Sequence, residues 1–274
     1  MVTLEVVGAA VEALWPLSGA SGWDSPGLVS GDPTATVGRI HLAVDAVLDT
    51  ADEALEVGAD LLLVHHPLLF HGVTSVAEST TKGAVLARLI RGSCALLAAH
   101  TNADVVETGT SRAIAARLGL VDQAPLETSS GDSTGTTGLG IVGRLPQPVT
   151  LVALARALAD ILPPVAGGVR VAGASDRVIQ TVALCGGAGD SLLDNPSVVG
   201  ADVYITSDLR HHPASDARDR MLLGQGPALV DVSHWASEWL WLDTAAAELR
   251  AALPGVEVSV SELRTDPWDF AVLQ

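Results

Sequence analysis

Short, wholly apolar runs separated by segments of helical periodicity constrain this chain more than any other feature of its sequence. Leu61–Val64 is one such run, and Cys94–Ala99 is the next. Runs of this length without polar residues are typical of parallel strands that helices cover on both faces. Because Lys82–Arg91 between them has the spacing of a helix, the rhythm predicts an α/β fold.

The polar stretch 123–138 interrupts this rhythm, which then resumes. We predict two similar α/β lobes, each a mostly parallel mixed sheet flanked by helices, with a metal site in the cleft between them. The first lobe comprises residues 1–122, the polar linker or loop 123–138, and the second lobe 139–274, although the lobes could close as one compact unit. A length of 274 residues suits two domains of about 100–200 residues each.

The two halves contain similar segments. VGADLLLVHH at 57–66 is similar to VGADVYITSD at 199–208, and each is followed by a helix, a strand and a histidine. Duplication and convergence on a common α/β rhythm both account for this. Residues 16–38, rich in Gly, Pro and Ser, are expected to form an entry loop, and 169–184 a hairpin-like pair of strands.

Composition excludes several classes of protein. The 32 acidic and 15 basic side chains give a formal net charge of −17, which disfavours nonspecific nucleic-acid binding and anionic membranes. Two cysteines in apolar runs do not indicate a disulfide framework. The chain does not begin with a basic region followed by an apolar one, and we expect a cytoplasmic protein without a membrane span.

Polar side chains follow two of the predicted buried strands. His65 and His66 come directly after Leu61–Val64, and Asp104 lies just past the following strand. Because the carboxyl ends of parallel strands usually face a ligand crevice, these side chains should share one edge of the sheet. A lone histidine there is more often a hydrogen-bonded structural residue than a ligand, and a tandem pair weakens that preference. His100 could be an added ligand or could orient one.

His234 and Glu238 are four residues apart at the start of a predicted helix, so they share one face of it. Taken alone, they are better explained as a solvent-facing polar pair near a helix N-terminus, where a glutamate is electrostatically favourable. Together with His65, His66 and Asp104 they supply nitrogen and oxygen ligands suited to two divalent ions, either zinc, iron, manganese or nickel. Such ions polarise bound water, and a metal-bridging hydroxide would be a nucleophile at neutral pH.

Five motifs in order carry a family resemblance. VHHPLLFHG at 64–72, AAHTNAD at 98–104, CGGAGDSLL at 185–193 and DVSHWASE at 231–238 resemble the Nif-three-like family, as does GWDSPGL at 22–28. The resemblance implies two α/β lobes, a dinuclear metal centre and homohexamers. By motif position it selects His65, His66, Asp104, His234 and Glu238 as ligands, with His100 near the site. Some members carry a domain inserted mid-chain, and because the connection here is only the short polar stretch, we predict the short form without it.

Other side chains favour structural roles. We expect His71 to be a rim residue, His211 and His212 to have surface or capping roles, and Trp235, Trp239 and Trp241 to pack in the core or an interface, although a nucleobase could stack there. CGGAGDSLL could hold an anion but has no phosphate-loop lysine.

Two functions fit the sequence. The first is a hydrolase that acts on a small polar or nucleotide-like substrate, in line with the GTP cyclohydrolase I type-two homologue name that the family resemblance carries. The second is a metal-handling or regulatory hexamer without turnover. No catalytic residue beyond the predicted ligands is assigned.

Overall fold

The computed structural model describes residues 1–272, which form two compact units. The first unit comprises Met1–Ala103 and Leu242–Thr265, and the second comprises Asp104–Trp241 and the described residues from Asp266 on. The helices are α1 (Leu4–Leu14), α2 (Leu48–Glu56), α3 (Thr81–Arg91), α4 (Thr101–Asp104), α5 (Thr110–Arg117), α6 (Leu151–Ile161), α7 (Pro196–Val199), α8 (His211–Leu222) and α9 (His234–Ala252).

The strands form one large sheet in each unit and a small antiparallel pair, β1 with β3. They are β1 (Val2–Thr3), β2 (Gly27–Ser30), β3 (Thr36–Val37), β4 (Arg39–Ala43), β5 (Leu61–Val64), β6 (Ala95–Ala98), β7 (Val121–Thr128), β8 (Gly138–Thr150), β9 (Arg170–Ala172), β10 (Val178–Ala188), β11 (Val203–Ser207), β12 (Ala228–Val232) and β13 (Glu257–Val260). This confirms the predicted α/β class with mixed sheets flanked by helices.

The sheet of the first unit has the order β13-β4-β5-β6-β2. Its first four strands are parallel and β2 is antiparallel at the edge. Leu62 and Val64 of β5 are fully buried and pack in one cluster with Ala51 of α2 and Leu89 of α3. Since burying a leucine side chain contributes about 1.5–3 kcal/mol, this contact fixes the strand that ends at the histidine pair.

The sheet of the second unit has the order β7-β8-β10-β11-β12-β9. Three parallel strands, β10, β11 and β12, occupy its centre, and β7, β8 and β9 join in antiparallel pairs. Each unit thus contains three consecutive parallel strands with an antiparallel edge strand beside the third.

Both units have the same hydrogen-bonded joint, in which an aspartate just before the second of these parallel strands accepts two bonds from the backbone in or next to the first. Asp60 Oδ2 accepts hydrogen bonds from the backbone N–H groups of Gly38 and Arg39, at 2.7 and 2.9 Å. Asp202 Oδ2 accepts from the two corresponding N–H groups of residues 180 and 181, at 2.9 and 2.7 Å. A common α/β rhythm does not require this detail, so the shared joint favours duplication over convergence.

The structure differs from the sequence-based expectations at three edge strands. The hairpin expected at 169–184 is wrong, because β9 pairs with β12 whereas β10 pairs with β8 and β11. β10 is buried in its middle and needs neighbours on both sides, while β9 is mostly exposed. Part of the expected entry loop forms β2, and residues 121–128 of β7 overlap the expected linker. The domain boundary itself stays a prediction.

Within residues 1–272, no helix is long and apolar enough to cross a membrane.

Candidate metal centre

Three histidines come together in the first unit. His65 and His66 follow β5, and His100 follows β6. One ligand atom from each lies within 4.8 Å of the others. The ring centroids of His65 and His66 are 5.1 Å apart, so the chain turns after β5 as expected before Pro67 and brings both rings to one side. Three imidazoles this close are a typical donor group for a divalent ion.

The hydrogen bonds of the tandem pair fix the tautomer of each ring. His65 Nδ1 donates to the backbone carbonyl of Ala99 at 2.9 Å, and His66 Nδ1 donates to Asp45 Oδ1 at 2.7 Å. Because neither acceptor carries a proton to give, the proton of each neutral ring lies on Nδ1 and the lone pair lies on Nε2. Metal-binding histidines are held in this way, with the second ring nitrogen bonded to a carbonyl or carboxylate.

His100 is held by a buried carboxylate. Its Nδ1 donates to Asp24 Oδ1 at 2.8 Å, and the Asp24 side chain is completely buried. Asp24 Oδ2 also accepts from the backbone N–H of Thr101 at 3.0 Å and from its hydroxyl at 2.5 Å. Burial acts to raise the pKa of Asp24, but the hydrogen bonds from His100 and Thr101 outweigh it and the pKa is lowered. Asp24 is therefore ionised and orients the ring.

The second unit contains a histidine and a carboxylate on one face of α9. His234 Nε2 and Glu238 Oε1 are 3.0 Å apart, and Glu238 is buried. His234 Nδ1 donates to Asp208 Oδ2 at 2.8 Å, and this hydrogen bond is the main cause of the lowered pKa of Asp208. The same arrangement of Nδ1 facing a carboxylate thus occurs in both units, and it supports metal binding through Nε2 in each.

Asp104 belongs to the second unit, as Glu238 does. Burial raises the pKa of the Cys185 thiol, and the negative charges of Asp104 and Glu238 raise it further. Asp104 Oδ1 accepts from the Thr110 hydroxyl at 2.5 Å, which orients the carboxylate. Because the Cys185 thiol stays protonated, it is a poor metal ligand. The carboxylates of Asp104 and Glu238 are the better candidates to bind a cation.

The structure explains why the CGGAGDSLL motif has a glycine at residue 187. A Cβ at this residue would clash with Glu238 Oε1 and would lie 3.3 Å from His234 Nε2. Its φ of +69° is also a conformation that L side chains rarely adopt. The glycine therefore makes room for the α9 carboxylate, which is a role that sequence reasoning did not find.

The remaining candidates lie outside these groups. His71 is exposed and contacts Phe70, with centroids 4.7 Å apart. His211 and His212 are exposed at the start of α8. The tryptophans of α9 serve packing, since Trp235 and Trp241 are buried and Trp239 lies against Trp235.

Sequence reasoning also missed the carboxylates that orient the histidines: Asp24, Asp45 and Asp208. Asp24 and Asp208 carried a sequence signal, since Asp24 lies in the motif GWDSPGL and Asp208 ends the segment VGADVYITSD, whereas Asp45 carried none.

Two α/β units with histidine and carboxylate groups that can hold metal ions define a class of candidate metal-binding protein. Within that class, the chain belongs to the Duf34/NIF3 (NGG1p interacting factor 3) family, whose profile matches residues 2–267. The resemblance seen in the motifs is thereby confirmed.

Relatives and solved structures agree with this assignment. A Streptomyces coelicolor protein named GTP cyclohydrolase 1 type 2 homolog is 45% identical over 272 residues, which cover 98% of this chain and 94% of the relative. A Mycobacterium tuberculosis protein of the same name is 33% identical over 377 residues, covering 98% of this chain and 97% of the relative.

The crystal structure of a hypothetical protein from Staphylococcus aureus has a TM-score of 0.87 at 26% identity, covering 98% of this chain and 99% of that one. A Bacillus cereus protein related to NIF3 has a TM-score of 0.86 at 23% identity, covering 97% and 98%, which supports the fold.

Proposed function

We propose that this chain binds two divalent metal ions through His65, His66, Asp104, His234 and Glu238, and that it hydrolyses a small polar or nucleotide-like substrate. One observation carries the proposal. The Nδ1 atoms of the histidines at both groups face a carbonyl or carboxylate oxygen, which leaves the lone pair of each neutral ring on Nε2.

The donor set indicates the kind of ion. Imidazole nitrogens and carboxylate oxygens suit zinc, iron, manganese or nickel, and Cys185 is held protonated by burial. The carboxylates of Asp104 and Glu238 would offset part of the charge of the ions. When bound, such ions supply Lewis-acid chemistry and activate water for hydrolysis.

The chain's own residues hold the donors in position. Asp45, Asp24 and Asp208 orient the rings of His66, His100 and His234, respectively. Fixed donors lose little conformational entropy when an ion binds, so these carboxylates contribute to metal affinity without touching the metal. His100 is then either an added ligand or a neighbour of the ligands.

The substrate class rests on the names of the relatives. Those from Streptomyces coelicolor and Mycobacterium tuberculosis are both called GTP cyclohydrolase 1 type 2 homologs, which favours a nucleotide-like substrate. The family resemblance also leads us to propose a homohexamer, which light scattering of the purified chain would test.

A second candidate function is metal handling or regulation without turnover. It is favoured by the carboxylates next to the histidines, because within residues 1–272 Asp24, Asp45 and Asp208 each accept from an Nδ1 atom. A carboxylate engaged in this way positions a ring rather than donating a proton to a leaving group.

Elemental analysis of chelator-free protein comes first, followed by assays of metal-loaded protein with nucleotides, phosphoesters and cyclic amides. We expect about two ions per chain in the native protein, fewer in His65→Ala, and unchanged binding in the matched control His71→Ala, because His71 is exposed and outside both groups. Inactivity on all substrates with every candidate metal would refute the hydrolase and favour the metal-handling protein. A metal-free native chain would refute both.

A further inference from the structure

Trp23 presents an exposed aromatic ring beside the histidine group of the first unit. The residue is 62% exposed, which is unusual for so large an apolar side chain. Its ring centroid lies 6.0 Å from that of His100 and 5.5 Å from that of Phe70. Phe70 is half-buried and lies 6.2 Å from His100. Both aromatic rings therefore lie beside His100, whose own ring is 5.1 Å from that of His65 and 5.5 Å from that of His66.

The backbone around Trp23 is held firmly although its ring is exposed. The next residue, Asp24, has a completely buried side chain that bonds to His100 and Thr101. The backbone N–H of Ser21 donates to the Thr101 hydroxyl at 2.9 Å. These four hydrogen bonds hold the backbone on both sides of Trp23 before anything binds, which lowers the entropy cost of presenting its ring to a ligand.

We propose that the rings of Trp23 and Phe70 form an aromatic platform that stacks a planar heterocyclic ring of the substrate next to the histidine group. The platform deepens the proposed function and rests on it, since it supplies the substrate class that the histidines and carboxylates do not define. Rings interact favourably with centroids about 4.5–7 Å apart, and the distances among the Trp23, Phe70 and His100 rings fall within that range.

The tilted arrangement of the two platform rings leaves a face for such a ligand. The Trp23 and Phe70 planes meet at 59°, and the Trp23 and His100 planes at 75°, so neither neighbour stacks flat on the exposed indole. A flat ligand can therefore take the stacking position that these neighbours do not fill. The strength of stacking depends on the planarity and size of the ligand ring and little on its individual polar groups. Stacking therefore selects a class of ligand rather than one compound.

The experiment measures binding of inosine, uridine and dihydrouridine to the full chain by ligand-observed NMR. Uridine and dihydrouridine form a matched pair, because saturation of one bond removes the planarity of the base and leaves its carbonyl groups. Native protein is compared with Trp23→Leu, with Trp23→Phe, which keeps a ring, and with Trp268→Leu. Trp268 is 68% exposed and serves as the matched control for removing an exposed indole.

We expect inosine to bind the native chain, uridine to bind more tightly than dihydrouridine, and Trp23→Leu to weaken inosine binding roughly tenfold. Trp23→Phe should restore most of the affinity, and Trp268→Leu should bind as native protein does. Equal binding by Trp23→Leu, equal binding of the matched pair, or no binding by the native chain would each overturn the platform. So would a smaller oligomer in Trp23→Leu by light scattering, which would make the ring an interface between copies.

Metal content, measured on the same samples, separates this test from that of the proposed function. Trp23→Leu should keep the metal content of native protein, because Trp23 offers no ligand atom. A native chain that binds no metal but loses inosine binding in Trp23→Leu would refute the metal site and leave the platform standing. A chain that binds two ions but whose inosine binding does not depend on Trp23 would refute the platform and leave the metal site standing.

Discussion

Replacing Asp45 by Asn should weaken metal binding without disturbing the fold. Asp45 Oδ1 accepts the Nδ1 proton of His66 at 2.7 Å, and Oδ2 accepts from the Thr265 hydroxyl. The substitution keeps the size of the side chain but removes the charge that raises the basicity of His66 Nε2. It also offers an amide group that would repel the Nδ1 proton if turned toward it. The lost charge and the misplaced amide would both weaken metal binding by His66 Nε2, because both act on its imidazole ring.

The size of the effect follows from what such partners contribute elsewhere. Removing a carboxylate that orients a metal-binding histidine costs about 10–100-fold in metal affinity, which corresponds to roughly 1.4–2.7 kcal/mol. Asn keeps the size of the Asp45 side chain, and the Asp45 and His66 side chains are about a quarter exposed, at 24% and 25%, so weakening of their hydrogen bond should change the free energy of unfolding less than it changes metal binding.

Competition with a chromophoric chelator measures the affinity of Asp45→Asn for zinc, and thermal unfolding of the metal-free protein checks the fold. The matched control is Asp49→Asn, which removes the same formal charge. Asp49 lies four residues after Asp45, at an exposed position in the first turn of α2. If both variants bind zinc equally well, the effect of Asp45 is no more than long-range charge, and its assigned role in orienting His66 is refuted.

Three further variants or measurements test other parts of the structure. Gly187→Ala should lower metal content and destabilise the chain by about 1–2 kcal/mol, because its Cβ clashes with Glu238; full metal content would contradict this. Asp60→Ala and Asp202→Ala should each cost about 1–3 kcal/mol in urea unfolding, and a cost at only one would argue against the shared joint. Burial raises the pKa of Cys94 to about 11, so iodoacetamide at neutral pH should label it at least roughly a hundredfold more slowly than an ordinary thiol; rapid labelling, seen by mass spectrometry, would refute its burial.

The central strands were predictable and the edge strands were not. Leu61–Val64 was predicted to be a strand and forms β5 with those bounds, and Cys94–Ala99 contains β6. A strand covered on both faces needs an unbroken apolar run, which the sequence displays. β2, β7 and β9 lie at sheet edges and are held mainly by backbone hydrogen bonds, which composition does not reveal.

The candidate site was predictable in its histidines but not in their partners. The rule that ligands lie at the carboxyl ends of parallel strands places His65, His66 and His100 in one region, and the structure brings them within 4.8 Å. Asp24 bonds to His100 across 76 residues, and Asp45 to His66 across 21. No sequence spacing encodes such pairs, because they depend on how separate segments approach one another. Ligation by the five predicted residues stays a prediction.

Anomalous diffraction from crystals of the zinc-loaded chain would locate the ions relative to the proposed ligands. We expect two anomalous peaks per chain, about 2.0–2.2 Å from ligand atoms of His65, His66, Asp104, His234 and Glu238. The proposed metal site would be contradicted by peaks that lie away from these side chains. It would also be contradicted if no peak lay beside His65, His66 and His234.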